Sequence, residues 1–283
     1  MNVEAVIETR RMSRQELDQA VELAASEGWN PGLHDADCFY EADPAGFFVA
    51  MADGEPVGSV SAVAYDDKFG FAGFFIVKKE WRENGIGHLL AGAALEHLGS
   101  RNTGIDAVVD MQEKYESIGF ELAYSSARFR GIARDTAADH GSLVPLSELD
   151  FEALAGFDNR FFPAKRDRFL RCWIDMADSL GLASVRDGKI VGYGVLRKCG
   201  TGHKFGPLFA ESVATAQTLF DALAASVKGG KIFLDVPLPN SDAVELSVAS
   251  GMSVVFETGR MYNGGTPDLP IDKIFGITSF ELG

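Results

Sequence analysis

One stretch organises the chain: Phe74-Phe75-Ile76-Val77-Lys78-Lys79-Glu80-Trp81-Arg82-Glu83-Asn84-Gly85-Ile86-Gly87-His88-Leu89-Leu90. Its apolar beginning is typical of a buried strand, and the apolar segment from Leu89 to Leu98 is typical of a helix. Between them lies the pattern Arg-x-x-Gly-x-Gly. Glycines let backbone N–H groups approach a ligand closely, and a helix N-terminus adds partial positive charge. The stretch therefore predicts a strand, a loop and a helix that bind an anion.

Two common phosphate-binding loops do not fit this pattern. A dinucleotide-binding loop needs a third glycine where the chain has Leu90. A P-loop needs Gly-Lys-Ser or Gly-Lys-Thr, and neither triplet is present. The segment closely resembles the pyrophosphate loop of the GNAT acetyltransferases, whose pattern is Gln/Arg-x-x-Gly-x-Gly/Ala. An ordinary strand–turn–helix is the alternative interpretation.

The resemblance implies how the cofactor binds. In the GNAT family the loop holds the pyrophosphate of acetyl-CoA, and the preceding strand offers backbone groups to its pantetheine arm. Acetyl-CoA is therefore expected as the acyl donor, and no metal is expected. The predicted cofactor-binding residues are Phe75, Ile76, Val77, Arg82, Asn84, Gly85, Ile86, Gly87 and His88.

A second motif lies downstream, at residues 114–120, which read Lys-Tyr-Glu-Ser-Ile-Gly-Phe. It resembles the Tyr-Glu-Lys-x-Gly-Phe element of the family, whose tyrosine commonly lies near the sulfur of coenzyme A. Attack of an amine on a thioester expels a thiolate, and a phenol with an ordinary pKa of ~10 can protonate it. Tyr115 is the predicted general acid, and an aromatic that anchors a helix is the alternative. An asparagine that the family often places before this tyrosine is absent, unless Gln112 takes its role.

An internal repeat predicts two domains. Residues 47–58 align with residues 181–192 at an offset of 134, which places Asp-Gly on Asp-Gly and Val-Gly on Val-Gly. Farther on, Arg128 aligns with Arg260 at an offset of 132. The chain of 283 residues is long enough for two domains of ordinary size.

The predicted fold class is therefore α/β (α+β), with two tandem GNAT-like domains, each a mixed, mostly antiparallel sheet flanked by helices. The predicted boundaries are 1–132 for a catalytic domain and 142–283 for a degenerate one. The arrangement resembles a bacterial group of tandem GNAT proteins.

The second copy lacks the chemistry of the first. After residues 205–209 its helix begins directly, with Ser212 as a plausible N-cap and with no glycine loop or basic residue. The position equivalent to the tyrosine is Ser247. One active site is therefore expected, in the N-terminal half. The second copy is predicted to shape the acceptor pocket, to stabilise the first domain, or both; an acyl-CoA site with a different loop is the alternative.

The loop after the first helix contains the predicted acceptor-binding residues, Trp29 and Asn30. In GNAT folds this loop often lines the acceptor pocket, where a Trp can cover a substrate and an Asn can hydrogen-bond it. His34, Asp35 and Asp110 are possible bases, but the sequence assigns none of them. A Pro-Gly turn with one half-buried Trp is the alternative.

Composition limits the partners. A net charge of −15 and a pI near 4.7 argue against nucleic acid and are compatible with a cationic amine. Three scattered cysteines predict reduced thiols in a cytoplasm and no metal cluster. No apolar run is long enough to span a membrane. The basic, aromatic stretch 157–173 is predicted to include an amphipathic helix that packs on the first domain.

The sequence thus predicts a cytoplasmic acyl-CoA-dependent N-acyltransferase. Acetyl would pass from acetyl-CoA to a primary amine of a small molecule or peptide by direct attack in a ternary complex. A non-catalytic acyl-CoA- or metabolite-binding module is the alternative. The sequence leaves open the acceptor, the acyl chain length, the general base and the oligomeric state.

Overall fold

The computed structural model describes residues 6–134 and 143–283. The strands of the first half are β1 (Ile7–Arg11), β2 (Phe47–Ala52), β3 (Glu55–Ala64), β4 (Phe69–Val77), β5 (Asn102–Val108) and β6 (Glu121–Ile132). Its helices are α1 (Arg14–Ser26), α2 (Asp35–Ala42), α3 (Ile86–Leu98) and α4 (Gln112–Glu116). The strands of the second half are β7 (Leu143–Pro145), β8 (Ser179–Arg186), β9 (Lys189–Lys198), β10 (His203–Ala210), β11 (Lys231–Pro237), β12 (Ser253–Tyr262) and β13 (Ile274–Gly276). Its helices are α5 (Phe151–Asp158), α6 (Asp167–Ile174), α7 (Val213–Ala225) and α8 (Ser241–Ala249).

Local sequence signals set several of these elements. Ser13 caps α1 in a capping box with Glu16, as its spacing predicts. The Asp53-Gly54 pair joins β2 to β3, and both residues have positive φ, 50° and 87°, as a tight hairpin requires. The equivalent Asp-Gly pair at residues 187–188 has the same conformation between β8 and β9. The predicted hairpin and its repeat are confirmed.

The strands of the two halves form one sheet. In the described residues it has 13 strands, in the order β1-β2-β3-β4-β5-β12-β6-β11-β10-β9-β8-β7, with β13 beside β10. Of the strand pairs that the structure describes, only β4–β5 and β10–β11 are parallel, so the predicted mixed, mostly antiparallel sheet is confirmed. The last long strand of each half is exchanged, because β12 lies beside β5 and β6 lies beside β11. The boundaries 1–132 and 142–283 stay a prediction.

Two reciprocal ion pairs join the exchanged strands. Arg128 on β6 binds Asp235 on β11, and Arg260 on β12 binds Asp106 on β5, each through two hydrogen bonds of 2.6–2.9 Å. The side chains of both pairs are at most 5% exposed. Arg128 and Arg260 are the arginines that align in the repeat. Each of the two exchanged strands, β6 and β12, therefore carries one of these ion pairs. Removing one partner of such a buried pair costs about 3–5 kcal/mol.

A second symmetric contact joins α2 and α6. The ring of Phe39 stacks on Trp173 with centroids 6.0 Å apart, and Cys38 forms a disulfide with Cys172. These partners are 134 residues apart, which is the offset of the repeat. The prediction of reduced thiols is therefore wrong for Cys38 and Cys172, because the pseudo-symmetric packing of the two helices brings distant cysteines together. Cys199 is free and buried.

Helices cover both faces of the sheet. On one face, α1, α2, α5 and α6 share a core that spans both halves. On the other face, α3 packs on β2 and β3, and α7 and α8 pack on strands of the second half. The contact between α6 and α2 confirms that part of the stretch 157–173 packs on the first half. The face with the shared core is called the inner face below.

Candidate active site

The parallel strands β4 and β5 separate along their length. Their ladder covers residues 69–72 of β4 and 102–105 of β5, and no pairing continues beyond it. β4 nevertheless runs on to Val77 and β5 to Val108. A bulge helps to turn β4 away: Phe74 has a φ of 46°, and its carbonyl accepts a hydrogen bond from Ser59 Oγ at 2.9 Å. The backbone of residues 73–77 is therefore open toward β5.

The loop at the end of this open cleft presents unpaired backbone amides. Among the described residues, no acceptor is found for the N–H groups of residues 83–87. Gly85 is the N-cap of α3 and lies in the left-handed region, with a φ of 77°, and a Cβ there would meet nothing within 4 Å. The first turn of α3 carries no acidic residue. Free amides at a helix N-terminus with open space around them suit a phosphate or diphosphate.

The remaining predicted cofactor residues surround this loop. Arg82 donates from Nε to the carbonyl of Val77 at 2.9 Å and from Nη2 to Glu27 at 3.1 Å, while 47% of its side chain stays exposed. His88 and Asn84 are exposed beside it. Arg82 therefore joins the end of β4 to the end of α1 and remains within reach of solvent.

The predicted strand residues use their side chains for packing. Ile76 is buried in the core of the inner face, and Ile86, the first residue of α3, is buried between that helix and the sheet. Phe75 and Val77 are half-buried on the α3 face, where the Phe75 ring lies below Gly87. These side chains are occupied by packing, and the cofactor-binding roles of the four residues stay predictions.

Tyr115 lies on α4, directly after β5. It is half-buried against Ile105 and Met261, and its ring meets Phe120 edge-on with centroids 5.8 Å apart. Burial raises the pKa of the Tyr115 phenol, so the phenol keeps its proton at neutral pH. Asp110 is exposed on the short turn before α4. The protonated phenol is the form that a general acid requires, and the catalytic role of Tyr115 stays a prediction.

The loop after α1 crosses to the second half. Both ends of the Asn30 amide bind the backbone of Thr201 at 2.9 Å, so this side chain joins the halves. The half-buried Trp29 offers its carbonyl to Arg128 and, at 3.5 Å, to Lys204. The acceptor-binding roles of Trp29 and Asn30 stay predictions.

The two other side chains considered in this loop have partners. Asp35 is fully buried and binds Arg197 Nε at 2.9 Å and the Gly32 amide at 2.8 Å. His34 lies 3.0 Å from Asp178, which also belongs to the second half. Their contacts give both residues a structural role between the halves.

The equivalent cleft of the second half is filled. The β10–β11 ladder ends at Phe205, and from Leu208 onward β13 pairs with β10 in antiparallel orientation. Asn240 holds this strand by donating to the carbonyl of Ile274 at 3.0 Å, and Phe275 is buried. Only residues 211–212 connect β10 to α7, whereas residues 78–85 connect β4 to α3. Sequence reasoning identified the missing loop but not the strand that fills the cleft.

A mixed sheet with one open parallel pair, followed by a loop of free amides and a helix, defines an acyltransferase of the GNAT type. A sequence profile of the acetyltransferase (GNAT) family matches residues 14–120, and a profile of an acetyltransferase (GNAT) domain matches residues 154–276. The chain belongs to this family of transferases and contains two GNAT domains in tandem.

Individual relatives agree with this assignment. The holothin acyltransferase of Pseudoalteromonas sp. (strain SANK 73390) is 30% identical over 263 residues, which cover 93% of this chain and 90% of that protein. A solved structure from Pyrococcus horikoshii matches with a TM-score of 0.83 at 21% identity, over 98% of this chain and 96% of that one. A tandem GNAT protein from the clavulanic acid biosynthesis pathway matches with a TM-score of 0.63 at 15% identity, over 93% of this chain and 100% of that one.

The described residues were compared with two further kinds of site, a helical membrane span and a metal centre, and form neither. No helix there is long and apolar enough to cross a membrane. No group of three or more potential metal-binding side chains occurs in the same residues.

Proposed function

We propose that the chain transfers acetyl from acetyl-CoA to a primary amine, in a single site between β4 and β5. The unpaired amides of residues 83–87, at the end of an open cleft, carry this proposal. They suit the pyrophosphate of the cofactor, and the open backbone of residues 73–77 suits its pantetheine arm. Polar contacts would be added by three side chains in or next to this loop, those of Arg82, Asn84 and His88.

The proposed reaction is direct attack in a ternary complex. Holding the amine and the thioester together supplies much of the acceleration. Backbone N–H groups near Val77 would polarise the thioester carbonyl, and Tyr115 would give its proton to the departing thiolate. The pKa of Tyr115, raised by burial, supports this role because the phenol stays protonated.

The acceptor is proposed to be a small-molecule or peptide amine. The relative with 30% identity is named for its action on holothin, which makes holothin the first acceptor to test. The net charge of −15 favours an approaching cation. A cytoplasmic location stays a prediction, and the Cys38–Cys172 disulfide would be unusual there.

A thiol-release assay tests the proposal. Purified protein and acetyl-CoA are mixed with holothin, spermidine, a set of amino acids and a short peptide, and free coenzyme A is measured. At least one amine should raise release above hydrolysis, with the acetylated amine detected by mass spectrometry. If acetyl-CoA binds by calorimetry but no amine raises release, the chain is a binding module instead.

A further inference from the structure

Glu281 lies at the inner end of the open cleft. The C-terminal segment 277–283 crosses from β13 to the inner face of β4 and is buried along its length. A Cβ on Gly73 would collide with the carbonyl oxygen of Glu281, and Tyr65 fixes the same segment by donating to Leu282 O at 2.9 Å. Gly73 is the first residue of β4 beyond the ladder with β5. Glu281 therefore stands where the two strands part.

The carboxylate of Glu281 is buried without a hydrogen-bonding partner in the described part of the chain. The residue is 2% exposed, and neither carboxylate oxygen forms a hydrogen bond with any residue that the structure describes. A buried charge without a partner costs several kcal/mol. Three buried aspartates differ in this respect, because each is bound by an arginine: Asp35 by Arg197, Asp106 by Arg260 and Asp235 by Arg128.

Three hydroxyl groups on β3, β6 and β12 also lack hydrogen-bonding partners in the described part of the chain. Ser61 pairs with Gly73 across β3 and β4, and Ser126 faces Thr258 across β6 and β12. All three are buried, and none of their oxygens has a partner among the described residues. Ser126 lies on the same face of β6 as Arg128, whose guanidinium stands 5.0 Å from the Phe280 ring. Buried polar groups without partners indicate a place for a polar ligand or ordered water.

From this arrangement we infer that Glu281 binds the ammonium group of the acceptor and takes its proton. The three hydroxyls would contact other polar groups of the same molecule. The inference rests on the proposed function and assigns the acceptor side of that site. The acceptor is then a primary amine with further polar groups, held by residues of both halves.

Glu281 and Tyr115 would carry the protons that move during the acyl transfer. The Glu281 carboxylate takes one proton from the ammonium ion, which leaves a neutral amine. The amine nitrogen forms a bond to the thioester carbonyl carbon, and the carbon–sulfur bond breaks. Tyr115 gives its proton to the thiolate, and the second proton on nitrogen returns to Tyr115. Glu281 finally releases its proton to solvent.

The charge of Lys204 gives a purely structural reason for a buried carboxylate at position 281, in place of a role in binding the acceptor. Charged groups on neighbouring strands interact with Glu281: Asp106 on β5, Arg128 on β6, Arg197 on β9 and Lys204 on β10. Of these, only Lys204 forms no ion pair within the described residues. Burial lowers the pKa of Lys204, and Arg128 lowers it further. Glu281 could therefore serve only to balance the Lys204 charge.

Glu281→Gln separates the two explanations, because it keeps the size and removes the charge. We expect kcat/KM for the active amine to fall at least about 100-fold, with the affinity for acetyl-CoA unchanged by calorimetry. Glu257→Gln, at an exposed position of β12, is the matched control and should keep the kcat/KM and the acetyl-CoA affinity of the native protein. Native activity of Glu281→Gln would overturn the inference.

The double variant Lys204→Met, Glu281→Gln tests the balance of charge. If Glu281 only balances Lys204, the double variant should regain activity, and that result would overturn the inference. We expect it to stay as inactive as the single variant. Glu281→Asp, which keeps the charge on a shorter side chain, replaces Glu281→Gln if the latter does not fold, and should lose activity because the carboxylate is withdrawn.

A binding experiment does not depend on turnover. n-Butylammonium chloride is titrated into protein loaded with coenzyme A, and binding is followed by ligand NMR. The native protein and Glu257→Gln should bind it at least tenfold more tightly than Glu281→Gln. Equal binding, or no binding to native protein, would overturn the inference. Failure of the proposed function shows separately, as the absence of amine-dependent thiol release.

Discussion

At the scale of single residues, Gly85 tests the anion loop. Its φ of 77° and the empty space around it let the amides of the loop face a ligand. Gly85→Asp puts a negative charge there and should weaken acetyl-CoA binding by at least about 2.8 kcal/mol, roughly 100-fold, in calorimetry. Gly85→Asn, which tolerates this backbone conformation better than most residues, should lose less. Gly188→Asp is the matched control, because Gly188 has a φ of 73°, equally open surroundings and a place in the second half.

The proposed general-acid role of Tyr115 can also be tested with a single substitution. Tyr115→Phe removes only the hydroxyl of a half-buried ring, so the fold and the acetyl-CoA affinity should change little. We expect kcat to fall by roughly 10²–10⁴ if the phenol is the general acid. Because burial raises the pKa of this phenol, loss of its proton should not lower kcat until the pH exceeds its ordinary pKa of ~10. Tyr40→Phe, at a half-buried tyrosine of α2 that stacks on Phe47, is the control. An unchanged kcat in Tyr115→Phe would refute the role.

At the scale of elements, the position of β13 determines the expected number of acetyl-CoA sites. It occupies in the second half the place that stays open between β4 and β5 in the first. Calorimetry should therefore give one acetyl-CoA per chain. Asn240→Ala, which removes two hydrogen bonds to the segment 272–274 and the cap of α8, should destabilise the protein by about 2–4 kcal/mol without changing that stoichiometry. Two bound molecules per chain would contradict the assignment.

Elements set by local patterns could be predicted, and elements set by distant partners could not. The capping box of Ser13, the two Asp-Gly hairpins and the glycine loop depend on neighbouring residues, and all of these structures are present. The place of β13, the Cys38–Cys172 disulfide and the position of Glu281 depend on contacts across many residues. The repeat aligned Arg128 with Arg260 but could not show that each binds the opposite half.

At the scale of the whole molecule, the exchanged strands make the halves interdependent. Within residues 6–134 and 143–283, β6 pairs only with β11 and β12, both from the second half, and β5 has β12 as its second neighbour. A fragment of residues 1–134 would leave β6 without either partner and would leave the buried Asp106 without Arg260. It would also lose the segment 277–283 that covers the inner face of β4. An unpaired buried charge of this kind costs about 3–5 kcal/mol, a large share of the stability of an ordinary domain.

We therefore expect the full chain to unfold in one cooperative transition and the two halves to fail when produced separately. Residues 1–134 alone should show no cooperative thermal transition and no acetyl-CoA binding, and mixing with residues 135–283 should restore both. Arg260→Met in the full chain should lower the free energy of unfolding of the whole protein, because the Arg260–Asp106 ion pair lies in the shared sheet. If the first fragment alone bound acetyl-CoA as tightly as the full chain, the boundaries predicted from sequence would mark independent domains. In that case the exchange of β6 and β12 would not be needed for the first half to fold.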